Sequence, residues 1–310
     1  MKKALHTIIA LFLLQTLATA QQQTPFSIYR DAPTLLNPAS EFQNHFRDDY
    51  FNVRVAAIYR QQWVGVEDAP QTQVISGDYF PEYKPFSFSG NLQNRKAGAI
   101  AQTSIYGTFR YQLKLDRNHK INAGISAGMI QHRINANDIK FLDPGDVIHN
   151  GASLTTISPD FSFGILYKFK NRYYFGLSVP QIAGLSSKFK NEGNDLTINN
   201  IQHFHAQGGA IFYTNKHESS FIELSAWARY IPGSPFGSNF NFRYQYDDLF
   251  WVGIGGDTAL IAHLEAGLIL GRFGDRLLQL GAAYDYPFQP DLVYLGNTFE
   301  VNLTWVWGAQ

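Results

Sequence analysis

Hydrophobic and polar residues alternate along much of the chain. Between residues 108 and 115 the two sets of alternate positions differ in character, with Phe109, Tyr111, Leu113 and Leu115 set against Thr108, Arg110, Gln112 and Lys114. Successive side chains of a β-strand point to opposite faces, so this pattern predicts a strand with one apolar face. The pattern recurs at 160–169, 239–246 and 299–307, with many aromatic residues at the apolar positions. A long series of such strands is typical of an outer-membrane β-barrel.

The alternation predicts about fourteen strands, an even number as in bacterial single-chain barrels. The predicted spans are 50–60, 72–79, 97–106, 108–115, 120–133, 160–169, 172–179, 202–214, 219–230, 238–246, 249–256, 261–270, 277–286 and 297–307. We therefore predict an all-β fold, an antiparallel transmembrane barrel formed by residues 50–310. The predicted connection at 80–96 is long, whereas Gly107 alone would have to form a loop. Both features indicate an error of strand assignment between residues 80 and 110.

The predicted connections differ in length between the two ends of the barrel. The longest are 61–71, 134–159, 180–201 and 287–296, and apart from 80–96 the connections at the other end are short and polar. Outer-membrane barrels have short periplasmic turns and longer extracellular loops, so the pattern predicts a periplasmic N-terminus for the barrel. A soluble β-sandwich with a similar number of strands is the alternative. The density of aromatic residues and the unequal loops favour the barrel.

The first 49 residues lack sustained alternation. Lys2 and Lys3 precede a short apolar run that ends in Ala18-Thr19-Ala20, which predicts a secretory signal peptide over residues 1–20. The alternative, an N-terminal membrane anchor, would need a run of about 20 apolar residues. Residues 21–49 hold three prolines and form the predicted irregular N-terminal segment. This segment is expected either to plug the barrel or to dock periplasmic proteins.

The composition is compatible with membrane-spanning strands. The chain is 45% hydrophobic, yet its mean hydropathy is −0.20, as expected when only every second residue of a strand faces lipid. It contains no cysteine, so disulfides cannot stabilise it. A formal net charge of zero argues against a nucleic-acid partner.

We find no pattern that predicts a catalytic, cofactor or metal site. His203 and His205 share one strand face, but two ligands alone would not hold zinc or iron. The glycine-rich run at 253–256 does not precede a predicted helix, so it is not a phosphate loop. A Ser–His enzyme assembled from distant residues remains an alternative. Charged residues are predicted to face the lumen, where they either pair with one another or line a selective pore: Arg54, Arg110, Lys114, Lys168, Arg172, Glu223, Arg229, Arg243, Glu265, Asp285 and Glu300.

Several short motifs occur in a recognisable order near the N-terminus. These are Asn37-Pro38-Ala39, Tyr59-Arg60-Gln61-Gln62-Trp63 and Ala69-Pro70-Gln71-Thr72. Their order and spacing resemble the PorP/SprF family of outer-membrane proteins associated with type IX secretion and gliding motility in Bacteroidetes, and the resemblance extends through the Gly124–Gly128 and 174–179 stretches. From the residues alone, Tyr59 and Trp63 fit an aromatic girdle at the membrane boundary, while Asn37 before Pro38 fits a turn. Contacts with a plug or with a docked partner are the functional alternatives.

The resemblance implies a non-enzymatic component of an export system without a cofactor. Its expected partners are outer-membrane lipid, periplasmic ring components of the type IX secretion system, and a secreted adhesin or other exported substrate. The alternative function is a passive outer-membrane transporter that admits small or hydrophobic molecules through the lumen.

Overall fold

The computed structural model describes residues 26–42, 52–135, 153–182, 184–189, 196–198, 201–273, 276–289 and 293–308. The predicted signal peptide lies outside these residues. Two 3₁₀ turns, Tyr29–Asp31 and Pro33–Leu35, precede the strands. The strands are β1 (Val53–Gln61), β2 (Gln71–Tyr79), β3 (Phe86–Ala97), β4 (Ile100–Lys114), β5 (His119–Ile134), β6 (Leu154–Phe169), β7 (Tyr173–Val179), β8 (Ser187–Phe189), β9 (Leu196–Ile198), β10 (Phe204–Tyr213), β11 (Phe221–Tyr230), β12 (Gly237–Tyr246), β13 (Phe250–Asp257), β14 (Ile261–Phe273), β15 (Arg276–Pro287) and β16 (Thr298–Trp307).

Within the described residues, fourteen strands form one closed antiparallel barrel, which confirms the predicted fold class. Each barrel strand pairs with the next one along the chain, β7 pairs with β10, and β1 pairs with β16 to close the barrel. Strands β8 and β9 form a separate two-stranded sheet. Among the described residues, no helix has the length and apolar character to cross a membrane.

The two faces of the barrel differ as the alternation predicted. In β16 the residues Phe299, Val301, Leu303, Trp305 and Trp307 are exposed on the outer face, while Glu300, Asn302 and Thr304 are buried on the inner face. The burial of polar residues and exposure of aromatic ones is the reverse of a soluble protein, as expected for a barrel whose outer face meets lipid. Most of the charged residues predicted to face inward do so, but Lys114 and Arg172 are exposed at the periplasmic end.

The predicted strand number is right because two errors compensate. Strand β3 was missed, since its outward positions include Gly90, Asn94 and Lys96 and therefore show little apolar alternation. Strand β4 was split at Gly107, but the strand continues through this residue, which is paired with Gly90 and Ala127. With β3 added and β4 continuous, the predicted long connection at 80–96 and the predicted one-residue loop at Gly107 both disappear.

With the corrected strands, the connections at one end of the barrel are all short: 80–85, 115–118, 170–172, 214–220, 247–249 and 274–275. Residues in a left-handed backbone conformation help to make some of these turns, with φ of 53° at both Lys170 and Asn171. The longer loops 62–70, 135–153, 180–203 and 288–297 lie at the opposite end, which is therefore the extracellular end.

A charge on the outer face should be costly in the middle of a strand and tolerated at its end. We expect Leu303→Arg, in the middle of exposed outer-face positions of β16, to lower the free energy of unfolding by about 2–4 kcal/mol. The matched control Gln61→Arg, at the extracellular end of β1, should cost about 1 kcal/mol or less. Denaturant unfolding in lipid vesicles measures both values. Equal costs would contradict the assignment of this face to lipid.

A candidate functional site inside the barrel

Residues 26–42, here called the luminal segment, lie inside the barrel. The backbone N–H groups of Ser27 and Ile28 donate to the carboxylate of Glu300, at 3.0 and 2.8 Å, near the extracellular end of β16. At the other end of the segment, the ring of Phe42 lies 4.3 Å from the guanidinium carbon of Arg54, near the periplasmic start of β1. The segment therefore extends through most of the height of the lumen.

Three glycines of the barrel wall, here called the glycine surface (Gly124, Gly164 and Gly176), contact the middle of the luminal segment. They lie on the adjacent strands β5, β6 and β7, where Gly124 is paired with Gly164. A Cβ atom at Gly124 would collide with the backbone of Pro38, and one at Gly164 would collide with the side-chain oxygen of Asn37. At Gly176 it would lie 2.7 Å from Nδ2 of Asn37. Only glycine leaves room for the segment at these positions.

The Asn37-Pro38-Ala39 motif is held by hydrogen bonds to itself and to the wall. Oδ1 of Asn37 accepts from the backbone N–H of Ala39 at 2.8 Å, which fixes the turn, while Nδ2 donates to the carbonyl oxygen of Ile165 at 3.2 Å. The carbonyl oxygen of Pro38 accepts from Nε of Arg110 at 3.2 Å. The side chain of Asn37 therefore both stabilises the turn and binds the barrel wall.

The extracellular part of the luminal segment is bound by Arg60 and two carboxylates. Arg60 donates from Nη1 to Glu300 at 2.8 Å and from Nη2 to Asp285 at 2.6 Å, and it also donates to the hydroxyl of Ser27. That hydroxyl in turn donates to Asp285 at 2.7 Å. All of these side chains are buried, and burial of a charge is tolerated only where it is paired and hydrogen-bonded.

Charged residues of the segment itself complete the network. Arg30 donates from Nε to Glu223 at 2.9 Å and from Nη1 to Glu265 at 3.1 Å. Asp31 accepts from Asn302 at 2.6 Å and from Thr304 at 3.2 Å. These partners lie on β11, β14 and β16, so the segment connects strands that are not adjacent in the barrel.

The remaining motif residues lie around the extracellular end of β1. The side chain of Tyr59 is exposed on the outer face, and Trp63 adopts a φ of 49° just beyond the strand. The backbone N–H of Gln62 donates to the carbonyl oxygen of Pro70 at 2.9 Å, which closes the 62–70 loop, and Ala69 is buried there. Buried Thr72 is paired with Arg60 across β1 and β2. Of this group, Arg60 directly contacts the luminal segment.

Sequence reasoning missed the part played by Arg30 and Asp31. Two adjacent charges within an otherwise uncharged, proline-containing stretch were the available signal, because such charges need buried partners if the stretch enters the lumen. His203 and His205 lie with ring centroids 6.1 Å apart, but the described residues contain no group of three or more metal-ligating side chains.

The barrel resembles solved outer-membrane channels. The CymD monoaromatic hydrocarbon channel is 8% identical with a TM-score of 0.54, over 90% of this chain and 93% of that one. The Pseudomonas putida toluene transporter TodX is 9% identical with a TM-score of 0.48, over 90% of this chain and 94% of that one. A Pseudomonas aeruginosa FadL homologue is 11% identical with a TM-score of 0.46, over 89% and 94% of the two chains. At 8% identity, the match to CymD shows a shared fold and nothing further.

No curated protein matches the chain in sequence. A family model does match: the type IX secretion system membrane protein PorP/SprF aligns with residues 18–305, nearly the whole chain. The fourteen-stranded barrel and its lipid-compatible outer face agree with a location in the outer membrane. The chain thus belongs to the PorP/SprF family of type IX secretion system membrane proteins.

Proposed function

We propose that this protein is a non-enzymatic docking component of type IX secretion, which holds an exported surface protein at the outer membrane. Its extracellular loops, chiefly 135–153 and 180–203, bind the exported protein. Its periplasmic turns bind ring components of the secretion machinery. Family membership supports the secretion role, and the contents of the lumen support docking over transport.

The observation that carries the proposal is the luminal segment. Its backbone and side chains bind Glu300, Glu223 and Glu265 on the barrel wall, while Pro38 lies against Gly124 with no space for a Cβ atom. A segment bound along the height of the lumen acts as a plug. A plugged barrel serves better as a membrane-anchored binding surface than as an open pore.

The second candidate, a passive transporter, requires the luminal segment to move. The shared fold with the hydrocarbon channel CymD is the reason to test it, although 8% identity says nothing about a substrate of this protein. For diffusion through the lumen, the buried ion pairs of Arg30 and Arg60 would have to break or shift.

The test is purification from native outer membranes after crosslinking, with an affinity tag on the full chain. We expect recovery of a secreted surface protein together with periplasmic ring components. The matched control is the same tagged barrel in cells that lack a core type IX component, where the exported partner should disappear. Recovery of the barrel alone, with ion conductance by the wild type in planar bilayers, would contradict docking and favour transport.

A further inference from the structure

A cavity lies in the lumen beside the luminal segment. The segment contributes Tyr29 and Phe42 to its lining, and the wall contributes Tyr174, Arg243, Gln245 and Gln279. Tyr174, Gln245 and Gln279 each stand within three residues of the periplasmic end of their strand. The cavity therefore occupies the periplasmic half of the barrel. Besides aromatic and amide groups, its lining includes two arginines, Arg30 and Arg243, and the carboxylates of Asp31, Glu41 and Glu223. Each of these carboxylates already has a cationic partner: Asp31 pairs with Arg54, Glu41 with Lys168 and Glu223 with Arg30.

Arg243 is positioned by a tryptophan that points into the lumen. Its guanidinium carbon lies 4.5 Å from the centre of the Trp251 ring, and Trp251 is only 2% exposed. Two wall glycines make room for this ring: a Cβ at Gly281 would lie 2.9 Å from it, and one at Gly267 would collide with it. Stacking on an aromatic face fixes the plane of a guanidinium and leaves its N–H edge available.

Arg243 has no hydrogen-bond or ion-pair partner within the part of the chain that the structure describes, and its Nε atom is buried. The nearest acidic residues are already bound. Glu223, directly across the strand pair from Arg243, accepts from Nε of Arg30 at 2.9 Å and from the hydroxyl of Tyr174 at 3.1 Å. Glu265 accepts from Nη1 of Arg30. Arg30 of the luminal segment thus pairs with both carboxylates, and Arg243 faces the cavity.

We propose that Arg243 binds the carboxylate of a ligand whose apolar or aromatic body occupies the cavity. An arginine fork matches the two oxygens of a carboxylate and forms strong paired hydrogen bonds with them. Tyr29, Phe42 and Tyr174 supply the surface for the apolar body, and ligand sites commonly combine such surfaces with a few placed polar groups. Both the C-terminus of a polypeptide and a small free acid carry this chemistry. The inference does not rest on the docking role.

The test is calorimetric titration of the detergent-solubilised full chain with N-acetyl-phenylalanine and with its primary amide. We expect the acid to bind and the amide to bind at least about tenfold more weakly, because the amide lacks the charge that Arg243 pairs with. Arg243→Gln should weaken binding of the acid by a similar factor. The matched control is Arg276→Gln, since Arg276 lies 5.9 Å from the ring of Trp305, a residue of the outer face, and should not affect binding.

Two outcomes would overturn the inference: no binding of the acid, or equal binding of acid and amide by the wild type. The second comparison requires no variant, so it stands even if Arg243→Gln fails to fold. A six-residue peptide that ends in phenylalanine separates the two sources of the carboxylate. Binding of this peptide supports a polypeptide terminus as the ligand, and binding of the small acid alone supports a free acid.

Discussion

Gly124→Val is expected to displace the luminal segment and open the barrel. The added side chain would occupy the space taken by the backbone of Pro38 and Ala39. Such overpacking typically costs about 1–3 kcal/mol, which raises the population of the displaced segment by roughly 5- to 150-fold. In planar bilayers we expect little conductance from the wild type and frequent openings from the variant.

A cysteine reporter provides a second measurement of the same displacement. The chain contains no cysteine, and Ala32 is 2% exposed within the segment, so Ala32→Cys should react slowly with a water-soluble maleimide. Gly124→Val should accelerate this reaction. The matched control is Gly107→Val, because a Cβ at Gly107 meets no atom within 4 Å. Equal labelling and conductance in the two variants would show that the glycine surface does not hold the segment.

Arg60→Ala is expected to be the most destabilising single substitution among those considered. It leaves Asp285 and Glu300 buried without their cation, and breaking a buried ion pair from one side costs about 3–5 kcal/mol. Because Glu300 also accepts from Ser27 and Ile28, we further expect the luminal segment to loosen. Denaturant unfolding of the barrel in vesicles measures the first effect, and the Ala32→Cys reporter measures the second.

Two controls separate the loss of charge compensation from a general loss of packing. Arg172→Ala removes an exposed pair with Glu218 and should cost about 1 kcal/mol or less. In an Asp285→Asn background, Arg60→Ala should cost less than it does in the wild type, because only one carboxylate is then left unpaired. The same cost in both backgrounds would mean that the carboxylates do not account for the effect.

The alternation of residues was sufficient to predict the barrel and the direction of most side chains, whereas the strand number came out right only because two errors compensated. It worked because lipid and lumen impose opposite requirements on the two faces of a strand, and the pattern is strong in β6 and β16. It failed at β3, where Gly90, Asn94 and Lys96 occupy outward positions. Gly107 was misread because a glycine in a strand and a glycine in a turn look alike in sequence.

The candidate site was harder to predict, because its contacts join residues that are far apart in the chain. Asn37 and Arg60 were identified through motifs, but nothing in the motifs shows that Asn37 binds the carbonyl of Ile165 or that Arg60 binds Glu300. The role of Gly124 and Gly164 could not be predicted from the sequence either, because the reason for a glycine in a strand is evident only when the element that contacts it is known.

The first and last strands of the barrel also hold the luminal segment. Pairing of β1 with β16 closes the cylinder, and the same two strands supply Arg60 and Glu300, which bind Ser27 and Ile28. Binding of the segment and closure of the seam are therefore thermodynamically coupled. Each process makes the free energy of the other more favourable by the same amount. A partner that pulls the segment from the lumen would therefore weaken the seam, and one that separates β1 from β16 would release the segment.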